Sequence, residues 1–109
     1  INSLLVPRNS TSECMAQIVK DLDEAISLLP DVWGDSDYAR IDKGCAMAFK
    51  GRVLLAYASP LFNPNHDQTR WQQAYEANKA AVDFLQGVGK GLYQGKYADM
   101  TNKTARLSW

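Results

Sequence analysis

Few residues in this chain stand at spacings that support chemistry. His66 is the only histidine, and no serine or cysteine sits in a nucleophile motif, so neither a Ser-His-Asp nor a Cys-His constellation can be read. His66 reads as a solvated loop histidine. Asn63, Asn65, Asp67 and Thr69 alternate oxygen-bearing side chains along one loop, an echo of the start of a calcium loop. Such a loop needs glycine at its sixth position and an acid at its twelfth. Here those positions hold Gln68 and Ala74, and Asn-Pro-Asn is ordinary turn chemistry. Asp31, Asp35 and Asp37 gather in a second loop. Paired carboxylates can serve a glycosidase as acid and base, but loop acids without a cleft more often cap, turn or solvate. Trp33 and Tyr38, the aromatics of that loop, are the candidate ligand-binding residues, because an aromatic face offers an apolar surface to sugar C–H groups. Their plainer role is to pack the loop onto helix ends. No catalytic residue, metal ligand set or cofactor is expected.

The elements that must position these residues read as three helices, at about 11–29, 43–59 and 70–86. Ser10 and Glu13 form a capping-box pattern at the start of the first. Met15, Ile18, Val19, Leu22, Ala25, Ile26 and Leu29 follow on one helical stripe, and Pro30 ends the helix. The second helix starts at an Asp42 N-cap, is apolar almost all the way round, and stops at Ser59-Pro60. Lys43, Lys50 and Tyr57 mark one narrow polar stripe on it, so it should be central and touched on most sides. Gly44, Ala48, Gly51 and Ala58 form a small-residue face. The helix propensity lost at its two glycines makes sense if another helix approaches closely there.

In the third helix, Trp71, Ala74, Tyr75, Asn78, Ala81, Val82 and Leu85 form the expected core stripe. Asn78 on that stripe needs a hydrogen-bond partner on a neighbouring helix or backbone. Gly87, Gly89 and Gly91 end the helix. The stretch from Leu92 to Trp109 has no helical period and should pack on further sequence or be mobile.

Composition excludes several classes. Twelve basic and twelve acidic residues cancel, so nucleic acid and anionic membranes are not expected partners. A hydrophobic share of 46% is too high for a disordered chain. No apolar run approaches a membrane span. Cys14 and Cys45 lie inside helices with no histidine at ligand spacing and read as buried free thiols. Simple antiparallel neighbours would not bring them together as a disulfide. Leu5-Val6-Pro7-Arg8 looks like part of a protease-tag sequence. It runs on through Asn9-Ser10 into a good helix start and is read as native. Both ends read as cut, and the second helix offers more apolar surface than two neighbours can cover. The expectation is one helical-repeat fragment, 1–109, of a larger domain.

The second and third helices resemble a tetratricopeptide hairpin, with Trp71-x-x-Ala74-x-x-x-Asn78-x-x-Ala81 on the latter. The longer Pro60–Thr69 loop departs from the plain repeat. Together with Ala58-Ser59-Pro60-Leu61-Phe62-Asn63, it resembles the SusD/RagB family. Pro7-Arg8 followed by Ile18-Val19-Lys20-Asp21-Leu22-Asp23-Glu24-Ala25 resembles the first such helix of that family. Tyr38-Ala39-Arg40-Ile41-Asp42-Lys43-Gly44-Cys45-Ala46 resembles its Gly-Arg-Ala-Thr-Lys-Gly-Ala-Ala stretch, and Leu92-Tyr93 its Tyr-Gly-Leu-Tyr close. These segments occur in family order over residues 7–93.

The resemblance implies an all-α, tetratricopeptide-like fragment of a non-enzymatic surface lipoprotein on the outer membrane of Bacteroidetes. Such a protein binds an oligosaccharide or other nutrient and caps a TonB-dependent transporter. The partners implied are that ligand, the transporter and the remainder of the polypeptide. Neither Cys14 nor Cys45 matches the lipid-bearing cysteine of the family. Most ligand-contacting aromatics of the family lie outside the helical portion, so the resemblance carries over scaffold residues rather than a binding residue. Lys43, Lys50, Arg52, Trp71 and Tyr75 are expected to be structural. A general helical-repeat adaptor that binds a peptide in a concave groove is the rival reading. The long loops, and the lack of a clear second copy of the repeat, count against it. A metal-dependent enzyme would need ligands that the sequence does not offer.

Overall fold

A computed structural model describes residues 2–92. Within them the chain is all-helical, with no strand. A 3-10 turn, Asn2–Leu4, precedes α1 (Thr11–Leu28). A loop with a second 3-10 turn, Asp35–Asp37, leads to α2 (Lys43–Ala58), and α3 (Gln68–Gly87) follows. The stretch from Tyr93 to Trp109 lies outside the described residues.

Each helix starts and stops where local chemistry allows. Ser10 caps α1: its Oγ accepts from the Glu13 N–H, and its own N–H donates back to Glu13 Oε2 at 2.8 Å. Leu29, extended because Pro30 follows, ends the helix one residue earlier than expected. Asp42 caps α2 by accepting from the Cys45 N–H at 2.9 Å. Ser59 ends α2 for the same pre-proline reason. The third helix begins two residues earlier than expected because Asp67 caps it, accepting from the Thr69 N–H. It closes as foreseen at the glycines. Gly89 takes a φ of 83°, Lys90 N–H donates to Leu85 O at 2.9 Å, and Gly89 N–H donates to Gln86 O at 3.0 Å.

The contacts fix how the helices run. Asp23 pairs with Lys50 and Asp31 with Lys43, while Val19 packs on the Leu54 cluster. Residue numbers rise on α1 as they fall on α2, so these two helices are antiparallel. Gly44 faces Leu85 and Gly51 faces Asn78, so α2 and α3 are antiparallel as well. Hence α1 and α3 run the same way on either side of a central α2.

The α2–α3 seam is the tight one. A methyl group at Gly51 would stand 2.5 Å from Asn78 Oδ1 and 2.8 Å from its Cγ. One at Gly44 would stand 2.5 Å from Leu85 Cδ2. Asn78 Nδ2 donates across the seam to Gly51 O at 3.1 Å and back along its own helix to Ala74 O at 2.8 Å. The small face and the partner expected for Asn78 are thus both present. Ala48 is an exception; it falls on the outer side and is exposed. Leu54, Ala58 and Ala74 form a small buried cluster beside this seam.

The α1–α2 seam is looser, and α1 has no fully buried residue. Of the lysine stripe of α2, Lys50 lies at this seam and Lys43 lies between the loop after α1 and the end of α3. Lys50 pairs with Asp23, and Lys43 pairs with Asp31 at 2.8 Å while lying over the Phe84 ring. Pairs this exposed are each worth about 0–1 kcal/mol, so they set register more than they set stability.

Two further expectations need correction. Cys14 and Cys45 are exposed free thiols, not buried ones. Each lies near the N-terminal end of one of two antiparallel helices, at opposite ends of the layer. Trp71, Tyr75 and Val82 are exposed, Tyr75 by 60%, and do not line the core. The face of α3 that meets α2 is centred on Ala74, Asn78, Ala81 and Leu85, so the outer half of the expected stripe is uncovered.

The two seams predict different tolerances. Gly51→Ala should lower stability by about 1–3 kcal/mol, because the added methyl displaces Asn78 from Gly51 O. Gly87→Ala, with nothing within 4 Å of its added methyl, should raise stability by up to about 1 kcal/mol. Urea denaturation of both variants checks this, and equal behaviour would refute a close-packed seam. At the α1 start, the Ser10 backbone N–H, then its hydroxyl, holds the Glu13 carboxyl below its ordinary value of 4.5. Its lowered value in the folded chain means that the contribution is complete above pH 4.5 and lost as pH falls below it. The stability gap between wild type and Glu13→Gln should therefore close on acidification through that range.

Candidate functional site

Three places in the fold could meet a ligand: the loop between α1 and α2, the loop between α2 and α3, and a groove between α1 and α3.

In the first loop Trp33 is half-buried. Its Nε1–H donates to Ile41 O at 2.8 Å, and the Arg40 guanidinium lies 5.9 Å from the ring centroid. Arg40 also pairs with Asp37 at 3.2 Å, and Ala39 between Tyr38 and Arg40 takes a φ of 74°. Trp33 is therefore a pillar of its own turn, with one ring face partly taken by a cation. Tyr38 is 61% exposed on the same turn. The three acids of the loop do not converge. Asp31 reaches Lys43, Asp37 reaches Arg40, and Asp35 supplies its backbone oxygen to the Tyr38 N–H.

The second loop is held from inside. A helix leaves its last four carbonyls without helical partners, and three of those on α2 are met here. Ala56 O accepts from Ser59 N–H and Oγ–H, Ala58 O from Asn63 Nδ2 at 3.4 Å, and Tyr57 O from Arg70 Nη1 at 3.5 Å. Arg70 also donates to Phe62 O at 2.7 Å and stacks 4.0 Å from the Tyr57 ring centroid, tying the first turn of α3 to the last of α2. Asn63 is 2% exposed; its Oδ1 accepts from the Asp67 N–H at 2.9 Å while its Nδ2 donates to Asp67 O at 3.1 Å. The oxygens of Asn63 and Asp67 are thus turned onto backbone N–H groups rather than toward a common centre. Among the described residues, no group of three or more His, Cys, Asp or Glu could hold a metal ion. His66 is exposed at a φ of 53°, a turn position beside this scaffold. Asn63 and Arg70 are the residues on which the loop depends. Asn-Pro-Asn marked the turn in the sequence, but nothing there showed which asparagine would be buried.

The groove lies over one face of α2. Lys50, Leu54 and Tyr57 form its floor, with Met15 and Val19 of α1 on one side and Ala77 and Ala80 of α3 on the other; its volume is about 790 Å³. Among the described residues, no helix covers the opposite face of α2 either. Cys45, Ala48, Phe49, Arg52, Leu55 and Ala56 are all exposed and fall at helical spacing, roughly opposite the groove floor. Trp71, Tyr75 and Val82 extend that surface onto α3, on the flank away from Gln73, Glu76, Ala77 and Ala80. The expected excess of apolar surface on the second helix is therefore present. No helix among the described residues is long and apolar enough to cross a membrane.

Removing the Asn63 side chain leaves the Asp67 N–H and Ala58 O without their partners. Asn63→Ala should therefore lower stability by about 1–3 kcal/mol. Asn63→Asp should also be destabilising, since a carboxylate cannot donate to Asp67 O. Denaturant titration reads both, and wild-type stability in Asn63→Ala would contradict this role. Comparison of the chain with protein-family models, curated proteins and solved structures finds no match.

Proposed function

We propose that this chain is a tetratricopeptide-like scaffold unit of a SusD/RagB-type nutrient-binding protein, which captures an oligosaccharide or other nutrient and hands it to a TonB-dependent transporter. In this reading the whole protein is a surface-exposed lipoprotein of the outer membrane and works by non-covalent binding, not catalysis. The observation that carries the reading is a closely packed α2–α3 hairpin whose apolar reverse face is exposed among the described residues. Phe49 and Leu55 of that face are at least half exposed. Helical repeats cannot bury their own faces and do so by stacking on neighbours. The remainder of the polypeptide would supply those neighbours and most of the ligand contacts. The ordered resemblance over residues 7–93, including the long loop after Ser59-Pro60, supports the choice of that family. The loop bearing Trp33 and Tyr38 is the one place where the unit itself would touch a sugar, through the exposed Tyr38 ring.

The groove favours a second reading, an adaptor that holds a peptide. Its Met15, Val19, Leu54 and Ala77 lining is apolar, and the flanking helices run parallel, as in a concave repeat surface.

Affinity electrophoresis in gels containing soluble polysaccharides separates the two. The scaffold reading expects the full-length polypeptide to be retarded in at least one gel and residues 1–109 alone to run free. If residues 1–109 are themselves retarded, Tyr38→Ala should abolish the shift. A full-length polypeptide that runs free in every gel removes the glycan reading. Capture of a peptide by residues 1–109 that is lost in Ala77→Arg would then establish the adaptor.

A further inference from the structure

We propose that the Arg8–Asn9 peptide bond is the bond of the described chain that an arginine-specific serine endoprotease accepting proline in the subsite before the arginine cuts first. The inference does not depend on the scaffold reading. Endoproteases take substrates as an extended strand of several residues, and exposed irregular segments are cut first. Leu5 to Ser10 has no helix or turn, and every residue from Ser3 to Ser10 is exposed. Leu5 and Val6 are 74% and 78% exposed, apolar side chains held in water just upstream of the bond. Pro7 cannot join a helical ladder, and it keeps Val6 out of helical geometry. Arg8 is the only lysine or arginine in the whole sequence that follows a proline.

The other basic residues among those described are not presented this way. Lys20, Lys43, Lys50, Arg52, Arg70 and Lys79 lie within helices. The Lys90 N–H closes the end of α3. Arg40 is exposed, but its N–H donates to Asp37 O, its guanidinium pairs with Asp37, and the preceding Ala39 is left-handed. Extending the chain at Arg40 would mean dismantling the Trp33 turn.

The chemistry is peptide hydrolysis. The protease serine adds to the Arg8 carbonyl carbon, and the C–N bond to Asn9 breaks. The Asn9 nitrogen leaves as an amine with a proton from the protease acid. Water then frees Arg8 as a carboxylate. Ser10 and Glu13 stay on the same side of the cut, so the α1 capping box survives in the product.

The test is limited digestion of the folded chain with thrombin, and with sparing trypsin, followed by intact mass and by circular dichroism. Among cuts within the described residues, the expected first product begins at Asn9 and keeps its helicity. Cleavage after Arg8 should exceed that after Arg40 by about tenfold or more, equivalent to an opening difference of about 1.4 kcal/mol. Arg8→Gln, a surface change outside every helix, should remove this product, and Arg40→Gln should leave it. The proposal is overturned if Arg40 is cut first, if the Asn9 product never forms, or if forming it collapses the helices.

Discussion

The close approach of α2 and α3 is the constraint on which the rest of the structure depends. Two glycines one heptad apart let the α2 backbone come within reach of Leu85 and Asn78. The carboxamide of Asn78 then bonds to the backbone oxygen of Gly51. Neither part works alone. Without the glycines the side chains of α3 would meet a methyl group, and without the asparagine the seam would lack its polar lock. Glycine in a helix interior costs about 1 kcal/mol relative to alanine, and the seam offsets that by packing. The small buried cluster of Leu54, Ala58 and Ala74 sits beside this seam, at its loop end.

The loop at that end extends the same logic to the backbone. Pro60 stops α2 abruptly and leaves carbonyls that water alone would otherwise have to satisfy. Ser59, Asn63 and Arg70 meet them in turn, so a nine-residue connection, 59–67, behaves as an ordered cap rather than a slack linker. The oxygen-rich spacing that suggests an ion site serves this cap. By contrast, α1 is fastened through half-exposed Lys–Asp pairs and a half-buried apolar stripe. A firm α2–α3 hairpin with a more lightly held α1 leaves apolar surface on both sides of the layer.

Much of the local structure was legible in the residues. The Ser10–Glu13 box, the Asp42 cap, the two proline stops and the glycine-rich end of α3 act within a few residues of themselves, so their chemistry needs no knowledge of the fold. The need of Asn78 for a partner was legible as well, because a half-buried amide carries the same requirement in any helix. The start of α3 was harder to read. Asp67 belongs to a polar run in which several residues are competent caps, and only the turn held by Asn63 selects it.

Periodicity could say that Trp71, Tyr75 and Val82 share a stripe with Asn78, but not which edge of the stripe a neighbour would cover. That depends on the rotation of α3 against α2, which is set by the glycine contacts. The same rotation places Ala48 outside the seam and Cys45 in solvent. The lysine stripe of α2 could be read as polar but not matched to its acidic partners, because Asp23 and Asp31 are 27 and 12 residues away in the chain. Their meeting is a consequence of how α1 folds back on α2. Trp33 and Tyr38 show the same division. Their types mark them as possible sugar platforms, yet the bond from Trp33 to Ile41 O and the cover given by Arg40 separate a structural ring from an exposed one. Short-range hydrogen bonds and backbone stereochemistry are written into neighbouring residues. Which faces are covered depends on helices meeting across long stretches of chain, and that is known only once they have packed.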